Sequence, residues 1–322
     1  MLDHMDHLLT TPAIAQGLRK VETRIHKLSA SSMLPGITQG VDHVVTAGGK
    51  RLRPALALAT ALALGRAPDR RVITAAACVE LIHTGSLVHD DLMDQATQRR
   101  GIRTLNADVG DDKALVIGDF MLAKAGLAAI TSVSKPVAEV LAATVVELAE
   151  GQYLETADLF NRERTQESAL RSITGKTAAL FRAACLVGAL CANASPEDRA
   201  RMAEYGEKFG LIFQILDDLL DLTASEESLG KPVGNDLRQG VYSFPVLLSG
   251  VDVTLTRGMT AEQVAEALDR LRASTMVRDT VEYCRGLAAD AVAALPVIHD
   301  AELADLLYGL PSAYIARFAA TP

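Results

Sequence analysis

Two acidic pentapeptides hold the most concentrated chemistry in this chain: Asp90-Asp91-Leu92-Met93-Asp94 and Asp217-Asp218-Leu219-Leu220-Asp221. Each places carboxylates at i, i+1 and i+4, within about 100° of one another on a helix, so the spacing predicts three acids on one face. A mostly apolar run precedes each, Leu81 to Val88 and Phe209 to Leu216. Acids so placed repel one another and lose hydration, which calls for a counter-charge. Hard carboxylate oxygens suit Mg²⁺, which takes few protein ligands and fills its remaining positions with water and phosphate oxygens. The chemistry indicated is a diphosphate held through bridging metal ions. Either copy alone could be a solvated acidic face; two copies, each behind an apolar run, favour metal binding.

The cations are clustered too. Gly48-Gly49-Lys50-Arg51-Leu52-Arg53-Pro54 puts three of them at the start of a helix, where the macrodipole prefers anions. That combination predicts a site completed by an outside phosphate, against the alternative of a plain basic turn. Gln98-Arg99-Arg100-Gly101 follows the first acidic motif closely. Its simplest alternative is a weak solvated ion pair with that motif. Lys176, after Gly175, opens an apolar helix at a predicted chain break, and a lone lysine there is expected to be exposed. A loop over 223–237 carries Lys231 and Asp236. His83 lies about two turns before Asp90 on a similar face, while His89 adjoins the acids as a hydrogen-bond partner.

These residues need a scaffold. The chain has 322 residues, 49% of them hydrophobic, and few β-branched alternations, which reads as an all-α fold with a sizeable core. No linker or low-complexity stretch interrupts it, so residues 1–322 are expected to form one domain. Helical periodicity is clear over 12–30, and further helices are expected from Arg71 to about Gln95, over 111–130 and over 136–158. Ser195-Pro196-Glu197-Asp198 starts the helix that ends in the second motif, and Thr260 with Gln263 spells a capping box. A formal net charge of −8 argues against a nucleic-acid partner. Cys78, Cys185, Cys191 and Cys284 show no metal-type spacing and are expected to be buried free thiols. The sequence shows no targeting signal and no uninterrupted apolar run of about 18 residues, so no transmembrane segment is expected and a cytoplasmic location is.

Five motifs together resemble the trans-isoprenyl diphosphate synthases, the polyprenyl synthetase family: GGKRLRP (Gly48 to Pro54), HTGSLVHDDLMD (His83 to Asp94), RRG (Arg99 to Gly101), GKTAALF (Gly175 to Phe181), and FQILDDLLD with GKPVGND (Phe213 to Asp221, Gly230 to Asp236). The resemblance runs from about Gly48 to Pro245. It implies an isoprenoid synthase-type helical bundle around a central apolar cavity, usually a homodimer. It also implies head-to-tail condensation of an allylic diphosphate with isopentenyl diphosphate. By the family pattern Asp90, Asp91, Asp94, Asp217, Asp218 and Asp221 would hold about three Mg²⁺ ions on the allylic diphosphate. Arg99, Lys176 and Lys231 would add charge to that group. Lys50, Arg53, His83 and Arg100 would grip isopentenyl diphosphate, with Thr177 and Gln214 beside the developing carbocation. One departure stands out: Gly240-Val241 occupies the place where many members carry Gly-Lys, so one expected cation is absent.

In such enzymes bulky residues four and five positions before the first Asp form a floor for the growing chain. Here these are Ser86 and Gly85, with Ile82 and Cys78 a turn further down, so a product longer than farnesyl diphosphate is expected. The alternatives are that Gly85 only permits close helix packing and that Phe120 or Tyr153 closes the pocket, giving a shorter farnesyl- or geranylgeranyl-type product. Two other readings are less favoured. A class I terpene cyclase would want more aromatics than 4% with no Trp, and a non-catalytic subunit of a heteromeric synthase would tend to lose acids that this chain keeps.

Overall fold

A computed structural model describes residues 4–30, 32–99, 101–224 and 233–319; Arg100 and Lys231 lie outside the described residues. Within them the regular structure is helical apart from one small hairpin, where β1 (Gln98–Arg99) pairs antiparallel with β2 (Ile102–Arg103). The first half runs through α1 (His4–Thr10), α2 (Pro12–Ser29), α3 (Pro35–Thr46), α4 (Leu52–Ala63), α5 (Arg70–Met93), α6 (Leu105–Val109), α7 (Asp111–Ser132) and α8 (Lys135–Ala157). The second half holds α9 (Gln166–Ile173), α10 (Ala179–Cys191), α11 (Pro196–Thr223), α12 (Asn235–Gln239), α13 (Phe244–Ser249), α14 (Ala261–Arg272), α15 (Met276–Ala294) and α16 (Ala301–Ala319). The expected helices over 12–30, 71–95, 111–130 and 136–158 appear within a few residues of those ends. Helix α1 was not legible; its Met5 and Leu8 are buried where it packs on α16.

Two helices place the acidic motifs. Helix α5 starts at the Asp69 cap, whose carboxylate accepts from the backbone N–H groups of Arg71 and Val72. It is buried on nearly every side among α2, α4, α7 and α10, as a helix without a polar stripe must be. Helix α11 starts at Ser195, whose hydroxyl accepts from Asp198 N–H, with Pro196 in the first turn. Packed on α10 and α15, it carries the second motif to its C-terminal end, as α5 carries the first. The expected capping box of Thr260 and Gln263 is present, and the four cysteines are buried and free. The buried apolar residues form one continuous cluster from α1 to α16.

The predicted chain break near Lys176 is corrected by the structure. Residues Thr174–Ala178 form a π-helical turn that joins α9 to α10 in one rod. Here α8 and the π turn touch backbone to backbone: a Cβ on Gly151 would lie 2.2 Å from Lys176 N. A π turn shifts the register by one residue, which re-aims the side chains that follow it.

The count of uninterrupted apolar residues also missed something. Arg70–Met93, Asp111–Ser132 and Gln166–Cys191 are long and apolar enough, by length and composition, to cross a membrane. A windowed average tolerates the scattered polar residues that the uninterrupted count rejects. In this fold 78% of the first apolar window and 67% of the third are buried against other helices, but only 39% of the second.

Candidate active site

The C-terminal ends of α5 and α11 open onto a cleft of about 680 Å³. Its acidic wall includes Asp90, Asp94, Asp217 and Asp218; Lys50, Arg53, Arg99 and Lys176 reach it from α4, the hairpin and the π turn. In neither motif do all three acids line the cleft. Asp91 points about 100° away from Asp90 around α5. It is buried and accepts a 2.7 Å hydrogen bond from Arg99 Nε. Asp221 shares the face of Asp217 but sits a turn beyond it, where the α12 segment covers it. There it accepts from the Asp236 N–H at 3.0 Å, and its other oxygen, Oδ1, is buried without a partner. Asp236 itself lines the cleft.

Desolvation in the cleft raises the pKa of Asp90 and Asp94, opposed by Lys176 and Arg99. Asp218 is pushed well up by desolvation and then by Asp236. Asp236 reaches about 8 through desolvation with Asp221 and Glu155. These carboxyls therefore resist ionising together unless a further cation joins them. Among the described residues no three Asp, Glu, His or Cys side chains form a ready metal cage. The donor set still fits Mg²⁺: hard, under-compensated carboxylates and an unpartnered Asp221 oxygen, for an ion that needs only one or two protein ligands.

Lys176 is not the exposed residue the sequence suggested. Its Nζ donates to Glu155 Oε1 at 2.5 Å. Burial would lower its pKa, but Glu155, Asp90 and Asp94 outweigh that and raise it. Sequence reasoning passed over Glu155; the available signal was a lysine in an apolar helix, which needs a buried acid partner. Next to it the Thr177 hydroxyl donates to Gln214 Oε1 at 2.8 Å, and Gln214 Nε2 donates to Asp218 Oδ1 at 2.7 Å. The π turn and α11 are thus linked along the cleft wall.

At the α4 end, two of the three cations of the glycine-rich motif can meet an anion. Arg51 lies in the left-handed region (φ 49°) and turns inward, donating to Glu22 at 2.5 Å and Glu80 at 2.7 Å. Lys50 and Arg53 remain on the cleft wall. The Arg53 guanidinium lies 4.3 Å from the Phe181 ring centroid, and its Nη1 donates to His83 Nε2 at 3.3 Å. His83 is therefore with the cations, as expected. His89 is not with the acids: its Nε2 lies 3.3 Å from Leu115 O and 3.5 Å from Asp119 Oδ1, both on α7.

The chain-length residues separate. Ser86 lines the cleft, whereas Gly85 and Ile82 do not. Gly85 lies about 140° around α5 from Asp90. A Cβ there would come 3.2 Å from Gly118 O and 3.3 Å from Met121 Cβ, so it is a helix-packing glycine against α7. Phe120 and Tyr153 do not line the cleft either, and Tyr153 is exposed. Val241 sits in the wall, so the expected extra cation is absent there.

The polyprenyl synthetase family profile matches residues 35–282, the span that contains every wall of this cleft. The chain belongs to the polyprenyl synthetase family. It is 33% identical over 285 residues to an octaprenyl diphosphate synthase of Escherichia coli, covering 85% of this chain and 88% of the relative. It is 38% identical over 251 residues to a short chain isoprenyl diphosphate synthase of Methanothermobacter thermautotrophicus, covering 77% and 75%. The fold matches the crystal structure of a decaprenyl diphosphate synthase from Rhodobacter capsulatus with a TM-score of 0.90 at 31% identity, over 98% of this chain and 99% of that one. This polyprenyl synthetase is a prenyl-group transferase with the all-α isoprenoid synthase fold.

Proposed function

We propose that this enzyme joins an allylic diphosphate head-to-tail to isopentenyl diphosphate and makes a trans-polyprenyl diphosphate longer than farnesyl. The observation that carries the reading is that one cleft holds two opposed binding chemistries, paired acids with Lys176 on one side and Lys50 with Arg53 and His83 on the other. Two diphosphates can lie in it without sharing a subsite.

Asp90 and Asp94 from α5, with Asp217, Asp218 and Asp221 from α11, would hold Mg²⁺, and Asp91 would support them through its bond to Arg99. Mg²⁺ bound there would neutralise the diphosphate as it leaves the allylic carbon. Lys176 and Arg99, with Lys231, add fixed positive charge to the same group. Gln214 presents its carbonyl oxygen, oriented by Thr177 and Asp218, beside the developing allylic cation. Lys50, Arg53 and His83, with Arg100, hold isopentenyl diphosphate so that its double bond faces that carbon. The new C–C bond forms there, and the proton lost from the adduct goes to the departing diphosphate. The apolar wall must keep water from the cation. Its only aromatics among the described residues are Phe213 and Phe244, which supports elongation over cyclisation.

The small Ser86 on the cleft wall supports the longer product. The exposed apolar residues Leu115, Val116, Leu127 and Ile130 of α7, with Val146 and Tyr153 of α8, support a homodimer through these helices. The unbroken core supports one domain, and four free thiols support a reducing, cytoplasmic setting. The test is incubation of the purified protein with Mg²⁺, labelled isopentenyl diphosphate and each of dimethylallyl, geranyl, farnesyl and geranylgeranyl diphosphate. Prenyl alcohols longer than farnesol after dephosphorylation are expected. Products stopping at farnesol would refute the length, and no elongation by the protein alone would point to a subunit of a heteromeric synthase.

A further inference from the structure

Far from the catalytic cleft, α2 and the first turns of α5 enclose a second cleft of about 380 Å³. Its lining includes Lys20, Thr23, Arg24 and Lys27 from α2, with Arg70 and Thr74 from α5, and contains no acid. The three α2 cations stand at i, i+4 and i+7, within about 60° on one face. Lys20, Lys27 and Arg70 are exposed, and none of the four cations makes an ion pair among the described residues. Arg24 is half-buried and fixed: its Nε donates to Thr74 Oγ1 at 3.2 Å and its Nη2 to Ser132 Oγ at 3.4 Å. Four unmatched positive charges held together on a protein of net charge −8 are an unfavourable arrangement until an anionic surface meets them.

We propose that this cleft docks the protein peripherally on anionic lipid headgroups. Arg70 and Asp90 lie on the same helix, about 30 Å apart along its axis. The basic end can therefore rest on a negative surface while the acidic mouth faces away and stays open to diphosphates. Such placement suits an enzyme whose product carries a long apolar chain; that benefit rests on the function proposed above, whereas the docking rests on the charge geometry alone. A free phosphate compound offers the same chemistry as a headgroup. The lipid source is favoured because the cations form a stripe along α2 and extend onto α5, matching a surface rather than a point.

The test needs no substrate. The full chain is sedimented with phosphatidylcholine vesicles, with and without a phosphatidylglycerol fraction, at rising NaCl. Binding only to the anionic vesicles, weakening with salt, is expected. At roughly fivefold per cation, Lys20→Gln, Lys27→Gln and Arg70→Gln together should weaken it by about 100-fold. All three side chains are exposed, so the triple variant should keep its helical circular dichroism and its condensing activity in vesicle-free buffer; Lys20→Gln alone should show the single fivefold step. Equal binding to both vesicle types, or unchanged binding by the triple variant, would overturn the proposal. Saturable binding of inorganic diphosphate lost in the triple variant, without vesicle binding, would also overturn it and mark a small-anion site. Vesicle binding by a protein that elongates nothing would leave the docking standing and refute the reaction instead.

Discussion

Lys176 Nζ and Glu155 Oε1 are 2.5 Å apart, and this pair ties the π turn to α8 at the edge of the acidic wall. The lysine faces Asp90 and Asp94 as well, so its charge is held where a diphosphate must lose its bond to carbon. Lys176→Met should lower kcat/KM for the allylic substrate by roughly 100- to 1000-fold, the range for removing one donor that stabilises developing charge. Glu155→Gln should cost about tenfold, because Asp90 and Asp94 still orient the lysine. Steady-state kinetics with each substrate varied separately should show both losses chiefly on the allylic side.

Arg51 makes a different sort of prediction. Its guanidinium is shared by Glu22 and Glu80, and the Glu80 side chain is only 5% exposed. Burial pushes the Glu80 pKa up, opposed by Arg51. Removing the cation would strand a buried carboxylate, at a cost of roughly 3–5 kcal/mol. Urea unfolding of Arg51→Met should show that loss, and adding Glu80→Gln should recover much of it. If the double variant is no more stable than the single one, the stranded charge is not the cause.

Stability should also depend on acid at the start of α5. Burial would raise the Asp69 pKa, but the Val72 N–H, Arg66 and the Arg71 N–H together hold it below 3.8. Between the folded and unfolded values the unfolded chain binds more protons, so folding gains as pH rises through that window. The Asp69 contribution is complete above 3.8 and is lost as pH falls through the lower folded value. Asp69→Ala should remove about 1 kcal/mol at neutral pH and less in acid. Urea midpoints measured across the acid range for both proteins should converge.

Much of this was legible before the fold was known, and the reasons differ by element. Apolar spacing identified α2, which buries one face along its length; α5, α7 and α8 were read from long runs of apolar helix formers, and the capping signals of Ser195 and Thr260 act locally. The acidic motifs were found for the same reason: their chemistry is written in adjacent residues. What failed depended on rotation and on partners distant in sequence. Asp91 is off the cleft wall because it lies about 100° around α5 from Asp90, where Arg99, eight residues on, holds it. Asp221 keeps the face of Asp217 but is lost to the cleft because the α12 segment folds over it. Arg51 joined the core through Glu22 and Glu80, each 29 residues away. The π turn at Lys176 has no composition of its own, and its contact is a backbone one, with Gly151 of α8.

The two chain-length candidates now predict opposite kinds of damage. Ser86 lies on the cleft wall about one turn before Asp90, so a tail growing from the allylic site proposed above would pass it. Ser86→Phe places a ring in that path and should shorten the product by several isoprene units with little change in folding. Gly85 faces α7, where a Cβ would lie 3.2 Å from a backbone oxygen that cannot move without moving its helix. Gly85→Ala should therefore cost roughly 1–3 kcal/mol in stability, as overpacking does, and leave product length nearly unchanged. Product sizing beside urea unfolding separates the two effects. A shortened product from Gly85→Ala with normal stability would mean that the tail runs between α5 and α7 instead of along the face that carries Ser86.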